Sequence, residues 1–140
     1  MSGGRKLSVA VSIAMVLAVA AGLWINGSPL EHRERRIDLR RVDDLATIDS
    51  AVTAFHEREG RLPDSLADLA DLAPERSRDP VDGQPYEYRR LDERRYELCA
   101  RFALPGTGMR YPQVETRQLP WRHEAGRHCF VRRLKDDQAG

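Results

Sequence analysis

Leu7 to Ile25, LSVAVSIAMVLAVAAGLWI, runs for nineteen residues without a charge. A helix of that length crosses the hydrocarbon layer of a bilayer, which takes about 20 apolar residues. Arg5 and Lys6 precede the run and Trp24 lies near its far end, as a positive flank and an interfacial aromatic would. A membrane anchor is one reading. A cleaved signal peptide is the other, because Ala18-Val19-Ala20 before Ala21 fits the small-residue cleavage pattern. The apolar run continues through Ile25, beyond the point where a cleaved peptide turns polar, and this favours the anchor. Both readings send the rest of the chain out of the cytoplasm. Arg33, Arg35 and Arg36 soon after the run weaken the positive-inside argument, and Glu31, Glu34 and Asp38 offset them only in part.

The 140 residues leave room for one ordinary domain beyond the run. Two cysteines, Cys99 and Cys129, form an even pair in a small exported domain, which reads as a disulfide. Setting aside Arg5 and Lys6 from 23 basic residues leaves 21 against 22 acidic ones, so no basic footprint for nucleic acid is expected.

Ser28-Pro29-Leu30-Glu31 combines a capping serine, a proline at the first helical position and a glutamate at the third. A long helix is expected over 28–59, with Gly27 and Pro29 interrupting or kinking any continuation from the apolar run. Val42, Leu45, Ile48, Val52 and Phe55 recur at three and four residues and predict one buried stripe, with Asp43, Asp44, Asp49, Glu57 and Arg58 elsewhere around the helix. Gly60 stands where a left-handed cap is wanted and Pro63 follows. A length near thirty residues suits a membrane-proximal stalk that then enters a domain. Asp64 is placed to cap a short helix over Ser65 to Leu72, carrying Leu66, Leu69 and Leu72. Pro74, Pro80, Gly83 and Pro85 break regularity until Tyr86. Tyr86 to Arg89 and Tyr96, Leu98, Ala100 and Phe102 alternate as an antiparallel hairpin turning at Asp92-Glu93. Pro105 to Trp121 reads as loop, His128 to Leu134 as a last strand, and 135–140 as a flexible tail.

This order of parts resembles the pilin-like proteins, and most closely the major pseudopilin of type II secretion systems. The matching residues are Gly60, Pro63, Leu66, Leu69, Asp79, Pro80, Gly83, Pro85, Tyr86, Tyr88, Tyr96, Glu97 and Leu98, spread over 37–98. In that family an Asp-Pro-x-Gly-x-Pro-Tyr-x-Tyr turn enters the sheet; here Val81-Asp82 makes it one residue longer. Two family features are missing. Gly4 precedes Arg5-Lys6-Leu7-Ser8-Val9, so no glutamate stands at the fifth position after it, and CARFALPGTG has no carboxylate for the family's calcium loop. The resemblance implies an α+β fold: a transmembrane helix, then a long amphipathic helix packed on a small antiparallel sheet over 60–134. It implies residues 1–6 in the cytoplasm of a bacterium, an inner-membrane span at 7–25 and a periplasmic domain, with protein partners in a secretion or pilus-like assembly.

Catalytic chemistry finds little support in the residues. His123, His128 and Cys129 match no zinc spacing, and a disulfide with two surface histidines is expected instead. His56 could serve as acid or base with Asp49 or Asp43, but reads as a solvated residue near a helix C-terminus. The chain has no Gly-x-Ser-x-Gly elbow or Walker loop, and Gly106-Thr107-Gly108 is too short to cradle phosphate. Arg89-Arg90 and Arg94-Arg95 flank the hairpin turn, with Glu87, Asp92, Glu93 and Glu97 close enough to neutralise them. The expectation is a non-enzymatic protein without cofactor or metal, presenting an interaction module. The alternative is a cleaved, soluble periplasmic binding domain with a small ligand near Tyr86, Tyr88 and Trp121.

Overall fold

The computed structural model describes residues 2–26, 28–106 and 121–134. The chain divides into two compact units, Met1–Glu34 and Arg35–Gly140.

In the first unit, helix α1 (Ser2–Asn26) contains the apolar run. None of its most apolar stretch is buried, and Met15, Trp24 and Ile25 are 70%, 91% and 84% exposed. Water does not tolerate such a surface over several turns, and a bilayer does. Among the described residues, one helix is long and apolar enough to cross a membrane. Ser28 lies outside the helices and its Oγ accepts the N–H of Leu30 at 3.3 Å, opening helix α2 (Pro29–Glu59).

From Arg35 onward α2 belongs to the second unit, where it is the main wall of the core. Val42, Leu45, Ile48, Val52 and Phe55 are all at most 6% exposed. The helix ends as its sequence dictates: Gly60 takes a φ of 71° and donates its N–H to the His56 carbonyl at 2.8 Å.

Facing that stripe is a three-stranded antiparallel sheet in the order β1-β2-β3, with β1 Glu87–Arg90, β2 Arg95–Phe102 and β3 Gly126–Arg133. Leu98 sits at its centre, opposite Tyr88 on one side and Phe130 on the other. Tyr96, Leu98, Ala100 and Phe102 alternate onto the core face as the sequence predicts. The third strand starts two residues before His128, because Gly126, at φ 97°, makes the bend that leads into it.

The helix expected over Ser65 to Leu72 does not form. Two 3-10 turns, Leu66–Asp68 and Pro74–Ser77, take its place. A leucine every third residue matches the three-residue repeat of a 3-10 turn better than the 3.6 of an α-helix. The cap is also reversed from expectation: the Asp68 carboxylate accepts the N–H groups of Asp64 and Ser65, each at 2.9 Å. Leu62, Leu69 and Leu72 still close the core. The expected loop before Trp121 and the tail from Lys135 lie outside the described residues.

Candidate functional site

Three carboxylates on α2, rather than its apolar stripe alone, decide what the domain's polar groups do. The first is Asp38, fully buried. It accepts the backbone N–H groups of Ala103 and Leu104, at 3.0 and 2.8 Å, and the Arg41 guanidinium at 2.8 Å. Arg41 turns its other edge to Asp79, with Nε at 2.6 Å and a second nitrogen at 3.1 Å. This bidentate pairing fixes the DPVDGQPYEYR turn against α2.

Within that turn, Asp79 Oδ1 accepts the N–H of Val81 at 2.8 Å, and the Asp79 carbonyl accepts that of Gly83 at 3.0 Å. Gly83 adopts a φ of 69°, the left-handed conformation that the turn requires and glycine tolerates. Asp79 N–H donates to the Gln84 carbonyl and Tyr86 N–H to that of Ser77, delivering Pro85 and Tyr86 to the head of β1. Burial pushes the Asp79 carboxyl up, but Arg41 and the turn's N–H groups outweigh it and hold the pKa below the usual value.

Asp44, also fully buried, accepts the Tyr86 hydroxyl at 3.0 Å and Arg76 at 2.9 Å. Its pKa is raised because burial exceeds what those two partners return. Asp49 accepts the Tyr96 hydroxyl at 2.6 Å and takes Arg132 bidentately at 2.8 and 3.1 Å. Burial first, then the neighbouring carboxylate, pushes both the Tyr86 and the Tyr96 hydroxyl far above their ordinary pKa. Each carboxylate thus ties α2 to a different part of the sheet side: the turn and β2 end, the head of β1, and the β2-β3 pair.

This overturns the expectation that Asp44 and Asp49 lie away from the buried stripe. At about 100° per residue, Asp38 and Asp49 fall within the arc of Val42, Leu45 and Ile48. That angular position was the available signal. Asp43 does remain exposed, paired with Arg76.

Tyr86, Tyr88 and Trp121 are drawn largely into the core. Tyr86 and Trp121 are 6% and 2% exposed, and the Tyr88 hydroxyl donates to the Pro63 carbonyl at 2.8 Å. Tyr86 and Trp121 close the core and Tyr88 packs against it, while Tyr86 and Tyr88 also border an open groove with Glu87, Arg89, Glu97 and Arg127. The Tyr88 hydroxyl pKa is pushed up to about 12 by burial.

His123 is not a surface residue either. It is 2% exposed, stacked on Phe102 with centroids 3.6 Å apart. Its Nδ1–H donates to the Trp121 carbonyl at 2.9 Å, and Nε2 has no hydrogen-bond partner. Burial lowers its pKa from 6.5. The unfolded chain therefore takes up the proton first as pH falls, and stability declines from about pH 6.5 downward. We expect the urea midpoint of the full chain in detergent to fall between pH 7.5 and 5.5, and His123→Leu to flatten that decline. An unchanged slope in the variant would remove His123 from the account.

Cys99 and Cys129 stand opposite each other on β2 and β3 and form a disulfide, with Cα atoms 4.0 Å apart. Cys129 is thereby occupied and does not join His123 and His128 as a metal ligand. Glu97 lies near the same two sulfurs, but a disulfide has no thiolate to offer a metal. The hairpin arginines find partners: Arg89 pairs with Glu97 at 2.8 Å, Arg90 with Asp64 at 3.0 Å and Arg95 with Asp92 at 2.5 Å. His56 is half-buried near the end of α2. Asp49 and Asp43, its supposed partners, are committed to Arg132 and Arg76. Asp38, Asp44 and Asp49 thus act as staples between α2 and the sheet side of the domain. Comparison with protein-family models, curated proteins and solved structures found no match.

Proposed function

We propose that the chain is a non-enzymatic, single-pass protein of the bacterial inner membrane that presents a pilin-like domain in the periplasm, as an interaction or assembly module related to secretion pseudopilins. The observation that carries this reading is the fully exposed apolar surface of α1, which only a membrane or an equivalent apolar partner would cover. A disulfide in the second unit supports an oxidising compartment. The Asp79 turn, the long α2 and the β1-β2 hairpin support the pilin-like assignment. The five-residue stretch Arg5 to Val9 offers no glutamate for pilin-type filament packing, so the reading is display rather than polymerisation.

Alkaline carbonate extraction of native membranes, with sequencing of the recovered N-terminus, tests the anchor. Retention in the pellet with residues 1–20 intact is the expected result. A soluble protein beginning at Ala21 would replace this reading with the cleaved periplasmic form.

A further inference from the structure

The sheet face turned away from α2 carries a charge pattern that the fold uses only in part. Side chains alternate across a strand, so the residues between Tyr96, Leu98, Ala100 and Phe102 point outward. On that outer face stand Arg89, Arg95, Arg101, Arg127 and Arg133, against only Glu87 and Glu97. Arg89 is matched by Glu97, Arg127 by Glu87 at 3.0 and 2.5 Å, and Arg95 by Asp92 of the hairpin turn, which leaves Arg101 and Arg133. Register sets Arg95 directly opposite Arg133 and Arg101 directly opposite Arg127. Like charges facing each other across a strand pair are destabilising.

Arg101 and Arg133 make no ion pair among the described residues; Arg101 influences Glu87 only as a more distant charge. Protection of sheet edges explains cations on outer strands. It does not explain Arg101, which lies on the central strand.

The spacing says what would use these charges. The two arginine pairs are six residues apart along β2, a separation of about 20 Å at the rise of a strand. Between them lie Val131, 59% exposed, the disulfide, whose Cys99 is itself buried, and Glu97, which is held by Arg89. An open groove of about 670 Å³ borders this strip along Glu87, Arg89, Glu97, Cys99 and Arg127.

We propose that this face binds an extended acidic segment of a partner protein, with carboxylates at both ends and an apolar side chain over Val131 and the disulfide. Guanidinium forks take carboxylates bidentately, as Arg41, Arg132 and Arg127 already do inside this domain. A lipid surface presents uniform charge and gains nothing from the fixed spacing of Arg101 and Arg133 or from Val131 between them. The inference deepens the display reading by naming the partner's chemistry, and it rests on that reading for there being a partner at all.

The test uses the full chain in phosphatidylcholine nanodiscs and a fluorescein-labelled peptide, Glu-Glu-Thr-Val-Thr-Glu-Glu, titrated by anisotropy. Saturable binding is expected, weakened at least tenfold in the double variant Arg101→Gln/Arg133→Gln, which removes no ion pair of the fold. Arg122→Gln, an exposed arginine off the sheet, should bind as the wild type does, and the all-Gln peptide should not bind. An unchanged affinity in the double variant overturns the proposal, as does absence of binding by the wild type. Arginine-dependent binding to phosphatidylglycerol vesicles with no peptide binding overturns it in favour of a lipid surface. A purified nanodisc is blind to cellular sidedness, so failure here and failure of the anchored reading are separate results.

Discussion

Asp38→Ala is expected to cost about 3 to 5 kcal/mol of domain stability, the range for removing one partner of a buried ion pair. Three groups lose their acceptor at once: the N–H groups of Ala103 and Leu104, and Arg41, itself only 9% exposed. Arg41 keeps Asp79, so the turn stays attached, but one edge of its guanidinium is left buried and unpaired. No compensating burial follows, because alanine leaves a void where the carboxylate was. Asp38→Asn retains an oxygen acceptor and should cost less. The measurement is urea unfolding of the full chain in detergent, followed by near-ultraviolet circular dichroism. A loss below about 1 kcal/mol would mean that Asp38 is solvated and the staple is not a structural element.

Removing the disulfide comes next in size. Cys99 and Cys129 are separated by 30 residues, and closing a loop of that size in the unfolded chain is worth about 3 to 4 kcal/mol by loop-closure entropy. Their strands are already paired in register from Arg95↔Arg133 to Phe102↔Gly126, so the folded sheet keeps its hydrogen bonds without the bridge. The effect is therefore expected through the unfolded state. Cys99→Ser under oxidising conditions should lower the unfolding midpoint, and a thiol reductant should bring the wild type down to the variant. Equal stability of wild type and variant would show that the bridge contributes nothing.

The fold was legible where apolar spacing and backbone chemistry act alone. Val42 to Phe55 declared the buried stripe, Gly60 the end of α2, and the Tyr96 to Phe102 alternation the core face of β2. The site was legible only in its turn, where Asp79, Gly83 and Pro85 speak through local geometry. What stayed hidden depends on partners distant in sequence. A carboxylate on a helix reads as solvated by type, and only angular position sets Asp38 and Asp49 among the apolar residues; their partners Ala103, Leu104, Tyr96 and Arg132 lie 47 to 83 positions away. His123 reads as a surface histidine until Phe102 is seen to stack on it. Arg95 was read only as a flank of the hairpin turn, and the placing of Arg95 opposite Arg133 and Arg101 opposite Arg127 required the β2-β3 register. The 3-10 turns were missed because a three-residue leucine repeat was taken as an imperfect α-helix.

Sidedness of the second unit in the native membrane is the decisive measurement for periplasmic display. Spheroplasts and inverted inner-membrane vesicles would be treated with proteinase K and probed for an epitope in the domain. Digestion in spheroplasts, protection in inverted vesicles, and survival of a fragment containing α1 are expected. Protection in spheroplasts with digestion in inverted vesicles would place the domain in the cytoplasm and contradict periplasmic display.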